Sequence, residues 1–197
     1  MLNFNYCNPT RYVYGSGEYR NIGHLLQPIA RKVLLHYGGG SVKRSGLYDT
    51  VVQSLQSAGV EYVELGGVKP NPSVELVRQG IELARGAGVE AVLAVGGGSV
   101  IDSAKAIALG TPHPGDIWKL YTREEQQSAP PLPVAVILTL PAAGSENSPN
   151  TVLTHEQSQR KLGYGHDSLR PALSIVSPEL FLTLPPEQMA YGACDML

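Results

Sequence analysis

The sequence predicts an α/β domain built on a parallel sheet, and two observations carry this. Short β-branched runs alternate with longer amphipathic ones at a spacing that implies right-handed crossovers covering both sheet faces. Two of the short runs also end in the same letters, YGGGS at 37–41 and VGGGS at 95–99, where a strand hands over to a helix. At 197 residues the chain is long enough for one well-cored domain and hardly for two.

Each element follows from its own pattern. KVLLHY (32–37) is a buried strand, and SVKRSGLYDTVVQSLQSAG the helix after it, with Leu47, Val51, Val52 and Leu55 on one face and Gly59 as its stop. VEYVEL (60–65) is the next strand. NPSVELVRQGIELARGAG begins its helix near Pro72 and ends on glycine, with Val74, Val77, Ile81 and Leu83 as the apolar set. VEAVLAV (89–95) and SVIDSAKAIALG form the third strand–helix pair. Residues 111–133 are rich in proline and charge and predict a long surface excursion with at most one short helix. VAVILTL (134–140) returns to the core, residues 150–165 read as two exposed strands around an EQSQ turn, and PALSIVSP (171–178) is the last strand. LPPEQMAYGACDML starts a helix at its prolines, with Tyr191, Cys194 and Leu197 at helical spacing and Asp195 an acid in small, apolar surroundings.

Composition excludes several classes. A formal charge of −2 gives no electrostatic reason to expect nucleic acid or an anionic membrane as partner. Cys7 and Cys194 cannot make a disulfide framework or a four-thiolate metal site. No basic n-region and apolar h-region open the chain, and its most apolar run, PLPVAVILTLPAAG, is broken by prolines and too short to span a bilayer. A reduced, cytoplasmic protein is the reading. The five histidines (24, 36, 113, 155 and 166) fall singly, without H-E-x-x-H, and G-x-S-x-G is absent.

Three clusters could carry chemistry. Glycines between strand and helix let the backbone approach a ligand, and the helix N-terminus offers N–H groups and partial positive charge to a phosphate. A bare tight turn is the alternative for either GGGS loop; two of them at strand C-termini point to an extended phosphate-bearing ligand. Asp102 and Lys105 follow the second loop one helical turn apart, where Asp102 could equally complement the helix dipole. Ser41, Lys43 and Arg44 follow the first, with no Asp or Glu to take a ribose hydroxyl, as a 2′-phosphate would favour; a solvated basic helix face is the competing reading. Thr139, Ser145 and Asn147 crowd polar groups just past a strand end, where turn capping would also place them.

Taken together, GGGSVIDSAKAIA, PNPSVE, LTLPAAGSE and LPPEQMAYGACDML resemble the iron-containing (group III) alcohol dehydrogenases, with the nearest likeness to the NADPH-dependent butanol dehydrogenase and aldehyde reductase branch. The resemblance implies a dehydroquinate-synthase-like fold, in which an N-terminal Rossmann-type domain faces a helical metal-binding domain across a cleft. It implies a dinucleotide domain over residues 1–184 and the start of a helical domain, otherwise missing, over 185–197. Asp195 matches the family's first metal ligand, in a DxxxH helix whose histidine would fall at position 199. The chain is therefore expected to be the cofactor half of a dehydrogenase, cut one turn into its metal-binding helix.

By the same likeness Gly97, Gly98 and Ser99 match the pyrophosphate loop, with Asp102 near the nicotinamide side. Gly38, Gly39 and Ser41 match the loop meeting the adenosine ribose and its 2′-phosphate. Asn71, Thr139, Leu140, Ser145, Lys161 and Leu180 match further cofactor contacts. Ala143 departs from the usual Thr, removing a hydroxyl, and Ser177 stands where Asp is common. The activity implied is hydride transfer between NADP(H), in preference to NAD(H), and a primary alcohol or aldehyde, with Fe2+ or Zn2+ acting as Lewis acid on the substrate oxygen. The fragment alone is expected to be inactive, to bind no metal, and to share a homodimer built through N-terminal strands. A non-catalytic nucleotide-binding fragment, a glycerol-dehydrogenase-like relative and a sugar-phosphate cyclising synthase are the competing readings; the TLPAAGSE string and the basic first loop argue against the last two.

Overall fold

Eight strands and seven α-helices, with three short 3-10 turns between them, make up the described residues. The computed structural model describes residues 7–182 and 184–195, the last of these by its backbone only. In chain order they are β1 (Arg11–Tyr14), α1 (Ile22–Leu26), β2 (Lys32–Tyr37), α2 (Ser41–Arg44), α3 (Leu47–Ser57), β3 (Glu61–Leu65), α4 (Val74–Ala87) and β4 (Ala91–Gly96). There follow α5 (Gly98–Gly110), α6 (Ile117–Tyr121), β5 (Val134–Leu138), β6 (Asn150–His155), β7 (Arg160–Gly165), β8 (Leu173–Val176) and α7 (Pro186–Asp195).

Six strands form one sheet in the order β1-β8-β5-β4-β2-β3, and every pairing is parallel. Parallel pairing requires crossovers that bury both faces, and the central β4 and β5 are accordingly buried at every residue. Side chains alternate between two cores. Leu34, Val92, Ala94, Val136 and Leu138 pack with α4, α5 and α6, whereas Val33, Leu35, Leu93, Val95 and Ile137 pack with α1 and α3. β6 and β7 form a separate antiparallel hairpin. Among the described residues no helix is long and apolar enough to cross a membrane.

Several expectations are corrected. The single helix read over 41–59 is two, because Gly46 at φ 74° turns the chain through a left-handed conformation between α2 and α3. Val42 and Leu47 are buried on either side of that break, and Val52 is only partly buried. On α4 it is Ala84 that completes the buried set, while Leu83 lies partly exposed. The excursion over 111–133 holds one short helix, as expected, but is anchored in the core by Ile117, Leu120 and Tyr121. β6 is not fully exposed: Thr151 and Leu153 are buried against α5. Of the proposed helical face at the end of the chain, Tyr191 and Cys194 are exposed, and Leu197 lies outside the described residues. Ser177 is buried; its hydroxyl donates to the Gly15 carbonyl at 2.9 Å, tying the β8 end to the turn after β1.

Helix packing on the α1–α3 side depends on a close approach. A Cβ at Gly23 would press into the Ser54 carbonyl and lie 2.9 Å from the Ala58 Cβ. Gly23→Ala is therefore expected to destabilise the domain by about 1–3 kcal/mol in urea unfolding. Gly86→Ala, in the exposed last turn of α4 with nothing within 4 Å of the added carbon, is expected to stabilise by about 0.5–1 kcal/mol. Equal effects from the two would contradict this account of the packing.

Candidate functional site

β2 and β4 are adjacent and in parallel register, with Tyr37 opposite Val95, so both glycine loops open at the same sheet edge. That edge is the C-terminal one, where open α/β sheets bind ligands. No side chain caps α5: its N-cap is Gly97, and the first-turn amides of Gly98 and Ser99 have no intrahelical acceptor. A Cβ at Gly98 would meet nothing within 4 Å, so the backbone is open to a ligand there. At Gly97 an added carbon would crowd Leu140, 3.2 Å away, and at Gly38 it would touch the Val68 carbonyl and Val100.

Seven of the expected residues line one cleft of ≈ 520 Å³: Asn71, Gly98, Ser99, Asp102, Leu140, Ser145 and Lys161. Ser41, Thr139 and Leu180 line a second, of ≈ 350 Å³, with Tyr19, Arg20 and Glu179. The neighbouring residues Thr139 and Leu140 face one cleft each. Gly38, Gly39 and Gly97 shape the turns at the two strand ends and line neither cleft. Asn147 is turned away, its side-chain oxygen accepting from the Asn8 amide at 2.6 Å.

Asp102 does more than face a helix dipole. One carboxylate oxygen accepts the Ser145 hydroxyl at 2.6 Å, and the other accepts the Val152 amide at 3.1 Å. Burial pushes its carboxyl above the usual range, opposed by the Ser145 hydrogen bond and by Lys105. Across the cleft, the Lys161 ammonium donates to the Asn71 side-chain oxygen at 2.7 Å. Asn71 holds φ 59°, a conformation Asn tolerates better than most residues.

Two charged residues matter here beyond what the sequence alone gives them. Glu64, at the end of β3, supplies a carboxylate that the sequence alone does not place beside the first loop. It accepts the hydroxyls of Tyr48 at 2.6 Å and Tyr37 at 3.1 Å, which hold it below the usual carboxylate range. Lys43 lies 3.8 Å from it, over the ring of Tyr48. The second is Lys105, seen in the sequence only as a neighbour of Asp102; it is fully buried, its ammonium on the carbonyls of Ser145, Ser148 and Asn150. The signal was available, because α5 is apolar on all sides and any charge in it must be enclosed.

The histidines stay apart from the clefts. His36, for example, is buried between the Leu65 carbonyl and the Ser103 hydroxyl, and burial pushes it down to about 4. Among the described residues no three of His, Cys, Asp and Glu lie close enough to hold a metal ion. The Asp195 carboxylate lies outside them, so the residues described do not make a metal site.

The sequence model of the iron-containing alcohol dehydrogenases matches residues 9–178. The chain belongs to that family. It is 43% identical over 197 residues to a probable NADH-dependent butanol dehydrogenase of Bacillus subtilis, covering all of this chain and 51% of that one. It is 36% identical to the NADPH-dependent aldehyde reductase YqhD of Escherichia coli, covering 99% of this chain and 50% of that one. In structure it resembles an NADH-dependent butanol dehydrogenase A of Thermotoga maritima, with a TM-score of 0.96 at 46% identity, covering 99% of this chain and 49% of the other. The chain thus spans about half the length of these relatives. Iron-containing alcohol dehydrogenases of this kind are named for both NADH and NADPH.

Proposed function

We propose that the chain forms the cofactor half of an enzyme moving hydride between NADP(H) and a primary alcohol or aldehyde. One observation carries this: the uncapped N-terminus of α5 opens, at the C-terminal sheet edge, on a cleft walled by Asp102, Ser145 and Lys161. The names of the relatives, butanol dehydrogenases and an aldehyde reductase, support the substrate class. The nicotinamide dinucleotide, when bound, supplies or accepts the hydride. The chain's own residues position it. The amides of Gly98 and Ser99 hold the pyrophosphate on the positive end of α5, and Gly97 brings the backbone close. Asn71, Asp102, Leu140, Ser145 and Lys161 enclose the nicotinamide end, where Leu140 and Val152 keep water off one face. Gly38, Gly39, Ser41, Thr139 and Leu180 enclose the adenosine end. Residues 1–184 make up this dinucleotide domain, residues 185–197 open a helical one, and exposed Tyr12 and Tyr14 on the edge strand β1 suit a homodimer.

Ser41, Lys43 and Arg44 support a preference for NADP(H), since two cations against Glu64 leave the first loop positive at its rim. Titration is expected to give a Kd for NADPH about ten- to a hundredfold below that for NADH. Glu64→Gln, which frees Lys43 from its carboxylate partner, is expected to tighten NADPH by about two- to fivefold. Equal or tighter NADH binding contradicts the preference.

Asp195 is a metal ligand in this reading, and one carboxylate cannot compete with water for Fe2+ or Zn2+ without further ligands at fixed geometry. The purified chain is expected to carry substoichiometric metal by elemental analysis and to reduce no aldehyde with NADPH. Stoichiometric iron or zinc together with turnover would overturn this part of the reading. A chain that binds dinucleotide with neither metal nor turnover fits equally a non-catalytic nucleotide-binding module, which is the second reading.

A further inference from the structure

Of the Asp, Glu, Lys and Arg side chains among the described residues, Lys105 alone is fully buried. An ammonium withdrawn from water needs an acceptor for each proton. Lys105 finds them in three backbone carbonyls: Ser145 at 2.6 Å, Ser148 at 2.8 Å and Asn150 at 3.0 Å. Ser145 and Ser148 lie in the irregular segment that joins β5 to β6, and Asn150 is the residue at which that segment enters β6. Of the carbonyls between them, Glu146 is taken by the Ser174 hydroxyl and Asn147 by the Arg170 guanidinium, while Pro149 accepts the His166 backbone amide at 3.2 Å. This segment is one wall of the cleft, contributing Leu140, Ala143, Ser145 and Ser148. The ammonium also reaches the Ser145 hydroxyl at 3.2 Å, and that hydroxyl donates in turn to Asp102.

We propose that Lys105 is a positioning residue: an internal cation that gathers the carbonyls of residues 145–150, as a bound metal ion gathers its loop, and so fixes the cleft wall and the orientation of Asp102. The proposal rests on the cleft being the dinucleotide site. Its charge is what matters, because a neutral amine has two N–H donors for three carbonyls. Burial pushes the Lys105 ammonium down to about 8. The charged groups facing it are Asp102 from its own helix, Glu146 from the segment and Arg170 from the approach to β8. Asp102 is faced in turn by Lys161 of β7 and Tyr121 of α6. As pH rises past this range the segment loses a donor and loosens.

The test uses the whole chain, with hydrogen exchange of the ligand-free protein and NADPH as the probe for binding. Lys105→Met keeps the aliphatic stem and removes the ammonium. It is expected to speed exchange at the Asn147 and Asn150 amides, both bonded within the segment, by about tenfold or more, with β4 and β5 protected as before. It should also raise the Kd for NADPH about tenfold. Lys105→Arg keeps a permanent cation and should stay within about threefold of the natural chain at pH ~7. It should hold that affinity to pH ~9.5, where the natural chain loses about fivefold. The proposal is overturned if the Met variant leaves the segment as protected as before. It is also overturned if sheet and segment lose protection together, as a merely stabilising side chain would produce. A natural chain that binds no NADPH overturns instead the functional reading of the cleft, while the exchange measurement still decides whether Lys105 holds the segment.

Discussion

The site depends on one helix that cannot move. α5 is buried along nearly its whole length, enclosed by the sheet, α4 and β6, and its close contact with α4 is made through glycines. At Gly80 an added carbon would collide with Ile107, and at Gly110 with Ile81. A helix held this tightly presents its first-turn amides at a fixed point on the sheet edge. Donors that are already oriented do not have to be ordered when an anion arrives, and their partial charge is worth most where little water competes. The same enclosure means that the polar side chains on α5 past Ser99 must be answered internally. Ser103 is answered by His36, Asp102 by Ser145 and the Val152 amide, and Lys105 by the carbonyls of the cleft wall.

This arrangement links fold and site in one step of chain. The strand–helix turn at Gly96–Gly97 delivers the amides, and the next two turns of α5 deliver the charges that shape the facing wall. Thr139 follows β5 with its amide on the Gly96 carbonyl, so the neighbouring strand end is fastened to the same turn. The departure at Ala143 falls on the exposed part of that wall, where a missing hydroxyl changes one contact and leaves the Lys105 anchorage untouched.

Much of this was legible in the sequence because it is periodic or local. Strand–helix alternation places the elements, and the GGGS loops mark the C-terminal sheet edge where the cleft opens. The family likeness names residues that the fold then brings from four separate segments into one cleft. What was not legible depends on tertiary neighbours. The break at Gly46 hides inside a pattern that is apolar on one face throughout 42–55. Glu64 stands far along the chain from Lys43, and only the β2–β3 pairing brings them together. The anchoring of the 111–133 excursion rests on three apolar residues in a stretch whose composition otherwise signals solvent. Lys105 was in view, but that its charge turns inward follows from the burial of the helix around it.

The central claim is that the N-terminus of α5 receives the pyrophosphate of a nicotinamide dinucleotide. Backbone amide chemical shifts recorded while NADPH is added test it most directly. The account predicts that the largest changes fall on Gly97, Gly98 and Ser99, with smaller ones at Gly38–Ser41 and Leu140, and none at the opposite sheet edge around Lys32 and Glu90. Saturable binding that leaves the Gly98 and Ser99 amides unshifted would contradict it.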